Sequence, residues 1–189
     1  MASTLKVNTI QHTGGTSAVS IDSAGQVSFP NSHLHQQWQL TGDFGSDAST
    51  LTPFALSTIS TQTNAMVGSS MSHSSGVFTF PKTGLYKVTL DLAMLTSGAS
   101  QDNYANVRIE LSTNSGGAFT TLKEVITGGI QNLASGHSGH VFINVTDAST
   151  FRVRFQTASL GSGSTVRGTA ANSMAYTTVS FERLTDAQS

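Results

Sequence analysis

An antiparallel β-sandwich is the fold class this sequence predicts, and three observations predict it. Apolar and polar residues alternate with a period of two along most of the chain, the pattern of strands with one buried and one wet face. No helical face runs longer than two turns. Clusters such as Thr113-Asn114-Ser115-Gly116-Gly117, Thr127-Gly128-Gly129 and Gly161-Ser162-Gly163-Ser164 separate the alternating runs, as turns and exposed loops do.

Taken in order, the first 30 residues hold three short alternating pieces: Leu5, Val7 and Thr9, then Val19 and Ile21, then Val27 and Phe29. Thr13-Gly14-Gly15 and Asp22-Ser23-Ala24-Gly25 divide them. So small a segment cannot bury its apolar positions alone. Residues 1–32 therefore read as an attachment or trimerisation arm, with Pro30-Asn31-Ser32 as a hinge, and residues 33–189 as the sandwich domain. In the next run His33, His35, Gln37 and Gln39 share one face, and Leu34, Gln36, Trp38 and Leu40 the other. The longest signal is Leu85 to Leu95, where Tyr86, Val88, Leu90, Leu92 and Met94 share a face opposite Lys87, Thr89 and Asp91, a pattern suited to the sheet centre. Val107, Ile109 and Leu111 alternate with Asn106, Arg108 and Glu110, and Phe151, Val153 and Phe155 with Arg152, Arg154 and Gln156. Eight to ten strands spaced this way over residues 36–184 suit jelly-roll connections.

The 189 residues suit one ordinary domain with a small appendage. Only 10% are charged, while 28 are serine and 26 threonine, against about 25% charged in an ordinary soluble domain. A surface so poor in charge favours self-association. A net charge of -1 offers no field for nucleic acid or an anionic membrane. With no cysteine there are no disulfides and no thiolate metal sites. Met1-Ala2-Ser3-Thr4-Leu5-Lys6 is not the opening of a secretory signal, and no apolar run is long enough to span a membrane; the expectation is release by lysis within an assembled particle.

Gly76-Val77-Phe78-Thr79-Phe80-Pro81-Lys82-Thr83-Gly84-Leu85-Tyr86-Lys87-Val88 resembles the signature of the complement C1q/tumour-necrosis-factor superfamily: a strand ending in Phe-Thr-x-Pro, two variable residues, then Gly-x-Tyr and a long strand. Asn103 to Ser112 resembles the following strand. Gly139 to Val145 before Phe151 to Phe155 resembles the strand pair near the family's end, and Ala175 to Leu184 would close the sandwich without the usual aromatic-Gly dipeptide. The resemblance implies a non-enzymatic jelly roll that forms tight homotrimers and binds partners through its outer loops. Ser3 to Gln11 and Ala18 to Val27 are similar to the opening of fibre-type virion proteins of tailed phages, particularly marine and cyanobacterial ones. Together the two imply a virion protein whose arm meets other virion proteins, and a place in the virion.

Among chemical candidates, His33 and His35 come first. Two imidazoles on one face are too few for a metal, but a threefold axis would gather enough to surround iron or another first-row ion, as the phage-fibre resemblance implies; the competing reading is a solvated pair beside the hinge. No other cofactor is expected. Gly136-His137-Ser138-Gly139-His140 departs from the nucleophile elbow and reads as a loop. Asp43, Asp47 and Asp102 could bind calcium, yet read better as turn caps. Asn144-Val145-Thr146 matches the glycosylation pattern but lies on an expected strand. Trp38 and Phe44 could stack on a sugar, and core or interface packing is the simpler assignment. Arg152 and Arg154 have no acidic neighbour in sequence and would pair with Asp91 or Glu110 across a subunit interface, or lie solvated.

The function these features predict is a trimeric tail-fibre or adhesion protein. Its loops Ser97 to Asp102, Asn114 to Ala118, Gly128 to Gly136 and Ser159 to Ser164 would recognise a host-surface glycan or protein. The alternative is a capsid decoration or head-fibre protein with a purely structural role. A glycan-processing enzyme would need a carboxylate pair across a groove, and the ten acidic residues supply no evident pair.

Overall fold

The computed structural model describes residues 9–11, 17–21, 23–28, 33–57, 66–96, 104–127, 133–168 and 175–188. Among them there is no helix. Three short strands, β1 (Thr9–Gln11), β2 (Ser17–Ile21) and β3 (Val27–Ser28), form an antiparallel sheet of their own in the order β1-β2-β3. Ile10 lies opposite Val19, and Ile21 opposite Val27. Ile10 and Val27 remain more than half exposed, the consequence of asking so few residues to cover themselves. Leu5, Val7, the Thr13 to Gly15 turn, Asp22, Phe29 and the Pro30 to Ser32 hinge lie outside the described residues.

The remaining strands are β4 (Leu34–Leu40), β5 (Phe54–Leu56), β6 (Met66–Val67), β7 (Ser72–Ser74), β8 (Val77–Thr79), β9 (Gly84–Thr96), β10 (Ala105–Ser112), β11 (Thr120–Thr127), β12 (Leu133–Val145), β13 (Arg152–Ala158), β14 (Thr165–Val166) and β15 (Thr178–Thr185). They build two antiparallel sheets. The larger, seven-stranded one runs β12-β9-β15-β4-β5, with β14 on β9 and β6 on β4; the smaller, five-stranded one runs β11-β10-β13-β8-β7. The strand expected at a sheet centre is β9. It sits between β12 and β15, and its 13 residues reach about 40 Å at the antiparallel rise.

Alternation does what it predicts: Tyr86, Val88, Leu90, Leu92 and Met94 point inward and are buried, as are Val107 and Ile109 on β10 and Val153 and Phe155 on β13. At the centre Phe78 meets Trp38, Phe54, Phe155 and Phe181, with ring centroids 4.9 to 6.0 Å apart. These are tilted or edge-to-face contacts, which favour the ring quadrupoles. Truncating Phe78 to alanine would cost about 3–5 kcal/mol. Tyr86 is buried as well, and its hydroxyl donates to the Lys82 carbonyl at 2.9 Å; burial pushes that phenol above its ordinary range.

One glycine closes the barrel-like edge. β11 and β12 end their respective sheets, and a Cβ on Gly139 would lie 2.6 Å from Cγ2 of Val125, so only glycine lets these two edges approach. Here the structure corrects the sequence reading. Gly136 to His140 is not a loop but the middle of β12; Gly139 marks a close approach between sheets, a cause of glycine in strands that composition cannot separate from a turn.

Candidate recognition and assembly surfaces

Strand register defines two ends. β4 starts with Leu34 beside Arg183 of β15, which lies beside Tyr86 near the start of β9, and β12 finishes there with Val145 opposite Gly84. The chain thus enters the sandwich at this end, the one nearest the expected arm in sequence. At the far end Thr96 faces Leu133, Ala105 faces Thr127 and Asn106 faces Ala158. The hydroxyls of Thr127 and Ser135 sit 2.5 Å apart there, joining the two sheets.

This sorts the expected recognition loops. Thr96 and Tyr104, which bound the first, and Thr127 and Leu133, which bound the third, are all far-end residues; Ser97 to Asp102 and 128–132 themselves lie outside the described residues, and 133–136 belong to β12. Ser159 to Ser164 follows β13 at the same far end. Asn114 to Ala118 does not join them. It follows Ser112, which pairs with Arg152, and Ser115 donates its backbone N–H to the Thr150 carbonyl, so this loop sits at the arm end. A groove of about 340 Å³ lined by Leu111, Thr113, Asn114, Ala118, Thr120 and Leu122 lies beside it. That lining contains no titratable group.

The two outer faces of the sandwich differ. On the seven-stranded sheet the outward residues form rows: His35, Glu182, Lys87 and Phe142; then Gln37, Ser180, Thr89 and His140; then Gln39, Thr178, Asp91 and Ser138. Phe142 is 58% exposed, with the His140 ring edge-on at 5.5 Å. Asp91 accepts from the Ser138 hydroxyl at 2.6 Å. On the five-stranded sheet the outward rows are ionic. Arg154 donates through Nε to Glu110 at 2.8 Å, the Thr121 hydroxyl donates to the same carboxylate, and the guanidinium lies 4.1 Å from the centre of the Phe119 ring. Arg108 donates to Glu124 at 2.9 Å, and the Tyr104 hydroxyl donates to the other carboxylate oxygen at 2.8 Å. Those bonds hold the Glu124 carboxyl below its ordinary range, Tyr104 first and Arg108 second, and lift the Tyr104 phenol above its own.

The other candidates now have places. His33, just before β4, and His35 on it are both exposed, with buried Leu34 between them. Among the described residues no group of three His, Cys, Asp or Glu could hold a metal ion, so one chain supplies these two imidazoles and no complete shell. Asp43 and Asp47 tie distant loops together instead of capping local turns: Asp43 pairs with Arg167 at 3.3 Å and accepts from the Gly168 N–H, and Asp47 accepts from the Leu160 N–H at 2.9 Å. Asp102 lies outside the described residues. Asn144 exchanges two 2.8 Å hydrogen bonds with Gln188. Trp38 is buried, bonding Gln36 through its indole N–H, and Phe44 packs half-buried on the core.

Arg154 finds Glu110 within its own chain, on the neighbouring strand and not across a subunit interface; Arg152 donates to the Phe151 and Ser149 carbonyls. Neighbours on adjacent strands are set by register, which sequence distance hides. Sequence reasoning missed Tyr104 and Phe142, although Phe142 could have been found as the one aromatic on the wet face of an alternating strand.

No family model matches this sequence, and no curated protein does. Solved structures match its shape. An Eiger TNF from S. frugiperda superposes with a TM-score of 0.58 at 12% identity, covering 84% of this chain and 96% of that one. Murine APRIL at pH 5.0 gives 0.54 at 10% identity, covering 80% and 99%. The globular domain of zebrafish complement 1qA gives 0.45 at 11% identity over 83% and 99%. Two antiparallel sheets in this order, with likeness at the level of the first two, make the chain's fold a jelly roll of the tumour-necrosis-factor type.

Proposed function

We propose that this chain is a homotrimeric structural protein of a tailed-phage virion, seated through residues 1–32 on other virion proteins and presenting its jelly-roll head to a host-surface component. The carrying observation is polarity: the chain enters the sandwich at one end, and the loops after β9, β11 and β13 leave from the other. An arm that exposes Ile10 and Val27 suits a partner surface. The phage assignment draws on the likeness of residues 3–27 to fibre openings, and the trimer on the superfamily resemblance together with the exposed Phe142 on the outer face of the larger sheet. Recognition fits better than catalysis, because Glu110, Glu124, Asp43 and Asp186 are each held by an arginine.

Deleting residues 1–32 tests the reading. Particle attachment is expected to be lost while the trimeric head still binds host cells. A head that trimerises and binds no cell favours the rival capsid-decoration role. In such a trimer His33 and His35 of three copies would surround roughly one first-row ion. Metal analysis of purified protein is expected to find it, and a metal-free trimer would return both histidines to solvent.

A further inference from the structure

Three aromatic rings are exposed among the described residues: Phe142, Tyr176 and Tyr104. Phe142 belongs to the outer face of the larger sheet, opposite Lys87 and with the His140 ring edge-on to it. Tyr176 already carries the Arg167 guanidinium 5.0 Å from its ring centre. Tyr104, 51% exposed, has no ring or guanidinium over it among the described residues. Its hydroxyl is nevertheless anchored on Glu124, so the ring is held in place, which lowers the entropy cost of stacking something on it.

The surroundings of Tyr104 are polar and unsatisfied. Tyr104 stands just before β10, Asn106 and Arg108 follow it at alternate positions on that strand, and Glu124 faces Arg108 while Ile126 faces Asn106. Only Nε of Arg108 is bonded among the described residues, leaving both terminal amino groups as donors. Asn106, fully buried between Tyr104 and Arg108, has neither amide atom hydrogen-bonded. A fixed aromatic face beside a guanidinium–carboxylate pair suits one ligand class: the apolar face of a pyranose stacks on the ring while its hydroxyls receive from Arg108 and donate to Glu124. The pair sums to zero charge, so a charged sugar would leave one charge unmatched.

We propose that this patch, at the far end of the five-stranded sheet, is a binding site for a neutral pyranose, with Tyr104 as stacking platform and Arg108 and Glu124 as its hydrogen-bonding pair. The proposal rests on the head being a recognition module and names the class of its target. The test uses the full-length protein on an array of neutral and acidic oligosaccharides, and glucose, galactose and N-acetylglucosamine by saturation-transfer NMR. Binding to neutral probes is expected, weakened about tenfold or more by Tyr104→Ala, less by Tyr104→Phe, which keeps the ring and frees it from Glu124, and not by Tyr176→Ala. Failure of every probe, preference for acidic sugars, or binding undiminished in Tyr104→Ala would overturn the site; should that variant fail to fold, an unchanged Glu124→Gln would do so. Adhesion to host cells that survives periodate oxidation of their glycans would overturn the sugar assignment while sparing the recognition reading. Sugar binding without cell adhesion would keep the site and remove that reading.

Discussion

The two outer faces of this sandwich are built on the same alternation and end differently. On the five-stranded sheet Arg108 and Arg154 each meet a carboxylate on the next strand. On the seven-stranded sheet Lys87 and Glu182 stand opposite each other without forming an ion pair, among hydroxyls, amides and the exposed Phe142. The first face is completed by its own chain. The second presents apolar and hydroxyl surface of the kind that a further copy can cover without stripping water from many charges. Charge poverty in the sequence is therefore unevenly distributed, and the larger sheet is where the proposed trimer would place its contact.

The sharpest way to break this comparison is Phe142→Asp. A carboxylate at that position would be desolvated in any assembly using the larger sheet, so the variant is expected to sediment as a single chain. Its melting temperature as a monomer should match that of wild type diluted below assembly, because the side chain is exposed within one chain. A Phe142→Asp protein that remains trimeric would place the interface elsewhere.

Next in size is a change on the opposite face. The Glu110 side chain is only 6% exposed, and removing it leaves the Arg154 guanidinium with Gln156 and the Phe119 ring but no counter-charge. Breaking a buried pair costs about 3–5 kcal/mol; with Arg154 a quarter exposed, Glu110→Ala is expected to cost about 2–3 kcal/mol in chemical denaturation. Oligomeric state should not change. Glu110→Leu with Arg154→Met should recover most of the loss, since the pair would then be replaced by packing beside Phe119. A Glu110→Ala protein that dissociates instead would merge the two faces into one system and end the distinction between them.

How much of this was legible beforehand follows from the period of each signal. The inward sets on β4, β9, β10 and β13 were readable because side-chain alternation is local, and Gln36 could be placed on the Trp38 face for the same reason. Its burial, with Oε1 accepting from the Met71 N–H at 2.8 Å, could not be read, because Met71 is far away in sequence. The Arg154–Glu110 pair was hidden likewise by strand order. Gly136 to His140 misled because glycine serves turns and tight sheet contacts alike, and only the approach of Val125 to Gly139 decides between them. Of the four loops expected to recognise a partner, connectivity alone could not show that Asn114 to Ala118 turns back toward the arm.

The smallest expected effect is a pH dependence confined to the ionic face. Because the Tyr104 hydroxyl and Arg108 hold the Glu124 carboxyl below its ordinary value of 4.5, their contribution to stability is complete above that value and is lost as pH falls through the lower folded one. The same Tyr104 bond raises the phenol above its ordinary 10.0, so its contribution is complete below pH 10 and fades as pH rises further. Wild type should therefore melt slightly above Glu124→Gln between these limits, and the two curves should converge at both extremes. Were the wild-type advantage over Glu124→Gln to show no decline as pH falls through the acid range, the cluster would owe its strength to packing of Tyr104 and not to its charges, and the ionic character assigned to this face would have to be moved to Glu110 and Arg154 alone.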